Sequence, residues 1–120
     1  MDNIREGNDV MVNWIILEDA ETPMNTSGIY DESLYLQVFG KVINLPVFDR
    51  VDNTIRVEIT PSLAPYIGGY RLVWRFTQTD PSYSQGDRRR AIDAEAFTIV
   101  GLSDKSADNH EITVVTVLKK

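Results

Sequence analysis

Hydrophobic and polar residues alternate along most of this chain, which is the pattern of β-strands that bury one face. The inward positions of the clearest segments are, in chain order, Val10, Val12, Trp14 and Ile16, then Leu34, Leu36 and Val38, then Ile55, Val57 and Ile59, and finally Tyr70, Leu72, Trp74 and Phe76. The segments RRRAIDAEAFTIVG (88–101) and HEITVVTVLKK (110–120) are further strand candidates. No segment keeps a helical period for longer than about three turns, the length of an average helix.

Turn-forming residues separate these segments. Gly40 follows the strand SLYLQVF, and we place it at the first central position of a type II′ hairpin turn, which matches the twist of its strands. Pro46 lacks a backbone donor, so the second arm of this hairpin is predicted to lie at a sheet edge or to carry a bulge. Residues 19–32, DAETPMNTSGIYDE, break the alternation and are predicted to form a long loop, with or without a short edge strand inside it.

Roughly seven strands without intervening helices predict an all-β fold, an immunoglobulin-like antiparallel β-sandwich of about seven strands. An antiparallel barrel is the alternative. The chain has 120 residues, so we interpret 1–120 as a single domain with one core. Trp14 and Trp74 fall on inward positions and are predicted to be buried, each with a partner for its indole N–H.

The stretch PSLAPYIGGYRLVWRF (61–76) is predicted to form a tyrosine corner. In many sandwiches the chain crosses between the sheets and enters a strand at a tyrosine whose hydroxyl bonds back to the crossing backbone. Tyr70 occupies that position, and Leu63 is placed to point into the core. Gly68 and Gly69 allow backbone angles that a side chain forbids.

Composition limits the classes of partner. The formal net charge is -6 and the pI is about 4.6, so phosphate backbones and anionic membranes are repelled, and we predict neither nucleic-acid binding nor membrane insertion. There is no cysteine, which excludes disulfides and thiolate zinc sites. The start, MDNIREGNDVMVNW, has acids where a signal peptide has positive charge, so it predicts no signal peptide.

No catalytic, cofactor-binding or metal-binding motif is apparent, so we predict no catalytic residue, no cofactor and no metal. The single histidine, His110, is interpreted as a solvated surface residue. Five acidic residues lie in or beside the predicted long loop: Glu18, Asp19, Glu21, Asp31 and Glu32. We interpret their carboxylates as solvated surface groups rather than as calcium ligands. An acid-dependent hydrolase stays open, because a pair of carboxylates that meet only in space is invisible in sequence.

The candidate interaction residues lie around one predicted hairpin. Arg88, Arg89 and Arg90 stand near its tip, where arginines can bind a partner's carboxylates or phosphates, although strand alternation separates Arg89 from the other two. Tyr83, in the turn DPSYSQGD, is predicted to be exposed and able to stack on a sugar or to anchor a protein interface.

Three segments together resemble the N-terminal domain of phage baseplate upper proteins, in the form found among gut Bacteroides phages and prophages: GNDVMVNWIILEDAETPM, NTIRVEITPSLAPYIGGYRLVWRF and RRRAIDAEAFTIVGLS. The matching positions are Gly7, Asp9, Asn53, Ile55, Gly69, Tyr70, Leu72, Asp93, Ala96, Phe97 and Val100. Asn8, between Gly7 and Asp9, departs from the pattern.

This resemblance implies a non-enzymatic β-sandwich in the virion that attaches fibre or receptor-binding subunits to a tail baseplate. Its partners would be other tail or baseplate proteins, and tail symmetry would favour a homotrimer. The family offers no catalytic residues to carry over. The alternative function is a carbohydrate-binding or adhesion module of a gut bacterial surface, for which Tyr83 is the candidate contact.

Overall fold

The computed structural model describes residues 2–102 and 110–119, which form an all-β fold of two stacked sheets. The strands are β1 (Asp2–Arg5), β2 (Val10–Leu17), β3 (Ile29–Val38), β4 (Lys41–Asn44), β5 (Asp49–Val51), β6 (Thr54–Ile59), β7 (Gly68–Thr79), β8 (Asp87–Val100) and β9 (Glu111–Val117). No helix occurs in this part of the chain. The predicted all-β sandwich is therefore confirmed.

The first sheet has the strand order β1-β8-β7-β3-β4, and the second has the order β5-β6-β2-β9. This arrangement is compatible with an immunoglobulin-like sandwich. Neighbouring strands are antiparallel except at two sheet edges, where β1 runs parallel to β8 and β9 runs parallel to β2. The alternation did not predict β1 or β5, because the sequences DNIR and DRV are short and mostly polar.

The predicted inward residues form the core between the sheets. Trp14 and Trp74 are both fully buried, as the alternation predicted. Each indole N–H has a partner: Trp14 Nε1 donates to Thr116 Oγ1 at 2.8 Å, and Trp74 Nε1 donates to Glu32 Oε1 at 3.2 Å. These bonds remove the cost of burying an unpaired donor, so both rings contribute their apolar area to stability.

The glycine pair before Tyr70 belongs to a tyrosine corner, as predicted. The Tyr70 hydroxyl accepts a hydrogen bond from Tyr66 N at 2.8 Å and donates one to Tyr66 O at 2.7 Å. Gly68 has a φ of +143°, and a Cβ added there would lie 2.5 Å from Phe39 Cζ. Gly69 has open space around the same position. Only Gly68 therefore has to be a glycine, both for its backbone angle and for the space that the Phe39 ring occupies.

The hairpin turn at Gly40 differs from the predicted type II′ turn. β3 ends at Val38 and β4 begins at Lys41, so Phe39 and Gly40 are the two central residues. Their φ values are +50° and +75°. Two positive φ angles define a type I′ turn, so Gly40 takes the second central position rather than the first. β4 lies at a sheet edge, as Pro46 predicted.

The loop predicted over residues 19–32 is shorter in the structure. Its last four residues belong to β3, which begins at Ile29 and contains a bulge between Tyr30 and Ser33, where Asp31 has a φ of +53°. Inside the loop, Pro23 forms an isolated bridge with Leu17. The sequence also predicts a polar connection, LSDKSADN (102–109), before the last strand. All of it after Leu102 lies outside the described residues.

Candidate functional site

The predicted interaction residues lie at the end of the β7–β8 hairpin, whose turn is held by Asp80. The carboxylate of Asp80 accepts hydrogen bonds from Ser82 N at 3.0 Å and Ser82 Oγ at 2.6 Å, which lower the pKa of Asp80. Tyr83 N donates to Asp80 O at 3.1 Å and Gly86 N donates to Tyr83 O at 2.9 Å. These bonds fix the turn backbone and therefore the position of Tyr83.

Arg88 and Arg90 lie on the face of β8 that turns toward the second sheet. Arg90 Nη1 donates to Gln78 Oε1 at 2.9 Å, and its guanidinium lies 5.5 Å from the centre of the Phe76 ring. Burial lowers the pKa of Arg90. Gln78 in turn donates to the carbonyl oxygens of Asn25 and Ser27, at 3.0 and 3.1 Å. Arg90 is thus part of a network that holds the β2–β3 loop against the hairpin.

Arg88 contacts the turn rather than the loop. Its guanidinium lies 5.8 Å from the centre of the Tyr83 ring, and its Nε lies 3.9 Å from Asp80 Oδ2, which is too long for a hydrogen bond. That Nε is buried without a hydrogen-bond partner in the described part of the protein. Arg88 therefore packs its guanidinium against the ring of Tyr83, and its Nε–H has no hydrogen-bond acceptor among the described residues.

Arg89 points to the opposite, outer face of the first sheet, as strand alternation predicted. In the sheet register, Tyr30 of β3 stands opposite Thr77 of β7, and Thr77 stands opposite Arg89 of β8. Side chains at directly opposed positions project from the same face. Tyr30, Thr77 and Arg89 therefore form a row across the sheet at the hairpin end.

A cavity of about 470 Å³ opens beside this row. Its lining residues are Tyr30, Asp31, Thr77, Tyr83, Gln85, Asp87, Arg88 and Arg89. The two tyrosine side chains are 43% and 46% exposed, so Tyr30 and Tyr83 present ring surface to solvent. Hydrogen bonding to the carboxylate of Asp87 raises the pKa of the Tyr30 hydroxyl. We call these eight residues the hairpin-end cavity.

A second concavity of about 330 Å³ continues along the same face and adds Arg75. Arg75 of β7 stands opposite Ala91 of β8, one step along the strands from the Thr77–Arg89 pair. Among the described residues, neither Arg75 nor Arg89 forms an ion pair. Both guanidinium groups are free to bind an anionic group of a partner.

The acidic residues considered for calcium have separate contacts. Asp19 accepts hydrogen bonds from the backbone N–H groups of Glu21 and Thr22, at 3.0 and 2.9 Å, which lower its pKa. Glu18 pairs with Lys119 at 3.1 Å, and Glu32 pairs with Arg50. Across residues 2–102 and 110–119, no three His, Cys, Asp or Glu side chains are grouped to hold a metal ion.

Two further sequence hypotheses concern chemistry. His110 is exposed and directly precedes β9 in the second sheet, whereas the hairpin-end cavity lies on the first sheet. As to the hydrolase hypothesis, Asp31 and Asp87 line the hairpin-end cavity together, and Glu18 and Asp80 line a pocket of about 360 Å³ beside the β2–β3 loop. Glu18 pairs with Lys119, and Asp80 accepts hydrogen bonds from Ser82.

Sequence reasoning identified Tyr83 and the arginines but missed Tyr30 and Arg75. Tyr30 was assigned to a loop, and its place beside Arg89 depends on the register of three strands. Arg75 lies between the inward positions Trp74 and Phe76, so alternation places it on the outer face, but its neighbours there follow from the same register. The exposed face of GYRLVWRFTQT could have signalled Arg75 if the pairing of that strand had been known.

Comparison with known proteins found no matching family model, no similar curated protein and no similar solved structure. Within the part of the chain that the structure describes, no helix is long and apolar enough to span a membrane.

Proposed function

We propose that this chain is a non-enzymatic interaction module of a phage tail or baseplate, which docks fibre or receptor-binding subunits. Two findings support the proposal. The first is the resemblance to the N-terminal domain of phage baseplate upper proteins in three segments of the sequence. The second is the exposed hairpin-end cavity, which offers a partner both aromatic and cationic groups.

The observation that carries the proposal is the arrangement of Tyr30, Tyr83 and Arg89 around one cavity. Tyrosine and arginine are enriched among the residues that dominate binding energy at protein interfaces. The bulge in β3 and the bonded turn at Asp80 hold the two tyrosines, so little side-chain and loop freedom remains to be lost on binding. Arg75 and Arg89 add free donors for a partner's carboxylates.

Several charged residues serve the scaffold. Glu32 and Arg50 join strands of the two sheets, Asp19 holds the turn before Pro23, and Asp80 holds the turn of the β7–β8 hairpin. The hairpin end adds exposed aromatic and cationic side chains to this scaffold. A docking function requires that combination of a rigid scaffold and an exposed, chemically mixed end.

The test is a binding titration against the tail proteins encoded beside this chain. Tyr83→Ala and Arg89→Ala are expected to weaken binding at least tenfold, about 1.4 kcal/mol. The matched controls are Tyr66→Ala and Arg56→Ala, which remove an exposed tyrosine and an exposed arginine far from the cavity in sequence; they should leave affinity unchanged. Equal losses in the controls, or no association with any neighbouring tail protein, would refute the proposal.

A second candidate function, carbohydrate binding in an adhesion module, is favoured by one observation. Two exposed tyrosine rings and several hydrogen-bonding side chains share a cavity of about 470 Å³, and aromatic faces with flanking polar groups bind sugars. Glycan-array screening distinguishes the candidates. Millimolar or tighter binding that is lost in both Tyr30→Ala and Tyr83→Ala supports adhesion, and an array without a signal contradicts it.

A further inference from the structure

The second sheet ends in an unusually open edge, the strand β9. β9 has seven residues, whereas the other terminal strands β1, β4 and β5 have four, four and three. The open part of β8, beyond its pairing with β1, carries charged residues at most positions from Asp87 to Glu95. Short length and charge are two means by which proteins block edge-to-edge pairing.

β9 lacks both of these protections. Between Glu111 and Lys119 its sequence is ITVVTVL, which has no charge and no proline. β-branched residues of this kind favour the extended conformation that pairing requires. Val115 and Val117 are 55% and 36% exposed, so part of the apolar surface of the strand faces solvent.

Among residues 2–102 and 110–119, β9 pairs with β2 alone, so one set of its backbone groups has no partner within this part of the chain. Met11 N donates to His110 O at 2.9 Å, and Leu118 N donates to Leu17 O at 2.9 Å. With the parallel register between these points, the even-numbered residues of β9 bond to β2 and the odd-numbered residues direct their N–H and C=O groups away from it. The outward set is Glu111, Thr113, Val115 and Val117.

We propose that β9 is a self-association surface, on which the β9 strand of a second copy pairs antiparallel across a twofold axis. The outward residues recur at every second position, so two copies present identical rows of donors and acceptors that complement each other. The product is one continuous eight-stranded sheet, in which the two β9 strands are central. This inference is independent of the tail-docking proposal, because the hairpin-end cavity lies on the other sheet.

Apolar contact favours one register of this pairing. When Val115 faces Val115 of the second copy, the most exposed apolar residue of β9 meets its own copy at the axis, and Thr113 faces Val117. Glu111 and Lys119 have partners within one copy, Arg56 at 3.7 Å and Glu18 at 3.1 Å, so the register does not depend on their charges. A shift that centres the axis on Val114 places the carboxylate of Glu111 against Val117. The Val115-centred register is therefore favoured.

The same register joins apolar surface on the outer face of the sheet. Ile15 and Leu17 of β2 stand opposite Val115 and Val117 of β9, and all four project outward. Pairing two copies brings these strips together across the twofold axis, which removes apolar area from water in addition to forming backbone bonds.

Light scattering during gel filtration of the full chain tests the association. The mass is expected to rise from 13.6 kDa toward twice that value as concentration approaches about 1 mM, the weak end of specific binding. Val115→Lys places like charges against each other and should weaken association at least about tenfold. The control is Val51→Lys on β5, the opposite edge of the same sheet, at a residue that is 72% exposed; it should associate like the parent chain.

Several outcomes would overturn the inference. A mass of 13.6 kDa at every concentration does so, and so does a three-chain assembly. Equal weakening by Val51→Lys and Val115→Lys also does so, because the effect would then be general charge repulsion. Near-ultraviolet circular dichroism confirms that each variant is folded.

Cysteine substitution tests the register separately, since the chain has no cysteine of its own. Val115→Cys should oxidise to a covalent dimer, because the two Cα atoms of a directly opposed antiparallel pair lie about 5.5 Å apart, within disulfide range. Thr113→Cys should cross-link more slowly, because it faces Val117 of the second copy. Faster cross-linking at position 113 than at position 115 would reject the proposed register.

Discussion

At the scale of single residues, the two buried tryptophan rings, Trp14 and Trp74, each need a hydrogen-bond partner for the indole N–H. Their hydrogen-bond partners, Thr116 and Glu32, lie 102 and 42 residues away along the chain. Such pairs depend on sheet order and on a bulge, which no local pattern encodes.

Removing the Trp74 ring is expected to destabilise the protein strongly. The ring packs 4.1 Å from the centre of the Phe76 ring, and its N–H is paired with Glu32. Trp74→Ala leaves a large cavity and is expected to lower the free energy of unfolding by about 3–5 kcal/mol. Urea denaturation measures the loss. A loss below about 1 kcal/mol would contradict the assignment of Trp74 to the core.

The tyrosine corner gives a second prediction at this scale. Tyr70→Phe keeps the ring, which stacks on Phe97 at 5.1 Å, but it removes both hydrogen bonds to the Tyr66 backbone. The expected loss is about 1–3 kcal/mol, because a part-buried N–H and a part-buried carbonyl of Tyr66 both lose their partner. Tyr83→Phe, at an exposed ring, is the control and should change stability by no more than about 0.5 kcal/mol. Indistinguishable losses in the two variants would show that the corner does not stabilise the fold.

At the scale of elements, alternation is a reliable predictor where one face of a strand is buried and fails where a segment is short or polar. It located β2, β6 and β7, whose buried and accessible residues alternate. It missed β1 and β5, and it misassigned the turn at Gly40, because Phe39 adopts a positive φ that its residue type rarely takes. Alternation also failed to place Tyr30 in a strand, because a bulge directly after it interrupts the pattern at the start of β3.

The contact between β3 and β5 tests how the two sheets are held together. Arg50 Nη2 donates to Glu32 Oε2 at 3.0 Å, and the two side chains are only 16% and 23% exposed. Arg50→Ala and Glu32→Ala are each expected to cost about 1.5–3 kcal/mol, because each leaves a half-buried charge unpaired. The double variant should cost less than the sum of the two.

The exposed pair Arg56–Glu111, whose nitrogen and oxygen lie 3.7 Å apart, is the control for this cycle. Its coupling energy is expected to be below about 1 kcal/mol, since solvent screens both charges. Denaturation of the four variants in each cycle supplies the values. Additive losses at Arg50 and Glu32 would contradict a direct coupling between the sheets at this point.

The glycine pair gives a prediction with a control in the next residue. Gly68→Ala forces a side chain into a positive φ and against the Phe39 ring, so stability should fall by about 1–3 kcal/mol. Gly69→Ala meets open space and should be nearly neutral. Thermal melting of the two variants measures the difference. Equal melting temperatures would show that neither the positive φ nor the Phe39 ring constrains Gly68.

At the scale of the whole molecule, an acidic protein carries a cluster of arginines at one end. The net charge is -6, whereas Arg75, Arg88, Arg89 and Arg90 all lie around the end of the β7–β8 hairpin. Asp31, Asp80 and Asp87 lie at the same end and offset part of this positive charge. A partner with an acidic patch would still be repelled less at that end than elsewhere, which favours one orientation of encounter.

This charge distribution predicts how binding depends on salt. The association rate with an acidic tail partner should fall as ionic strength rises, because the Debye length shortens to about 8 Å at physiological salt. Arg89→Ala should reduce that dependence, whereas Arg56→Ala should leave it unchanged. Stopped-flow or surface-based kinetics at several salt concentrations measure it. A rate independent of salt would contradict electrostatic steering by the hairpin end.

The central claim is that this sandwich acts through the end of the β7–β8 hairpin, and a footprint of the bound state tests it most directly. Amide chemical shifts of the labelled chain would be followed while a neighbouring tail protein is added. The account predicts that the largest changes cluster at Tyr30, Thr77, Tyr83 and Arg89. Changes confined to the outer face of the β5-β6-β2-β9 sheet, or no changes with any such partner, would contradict it.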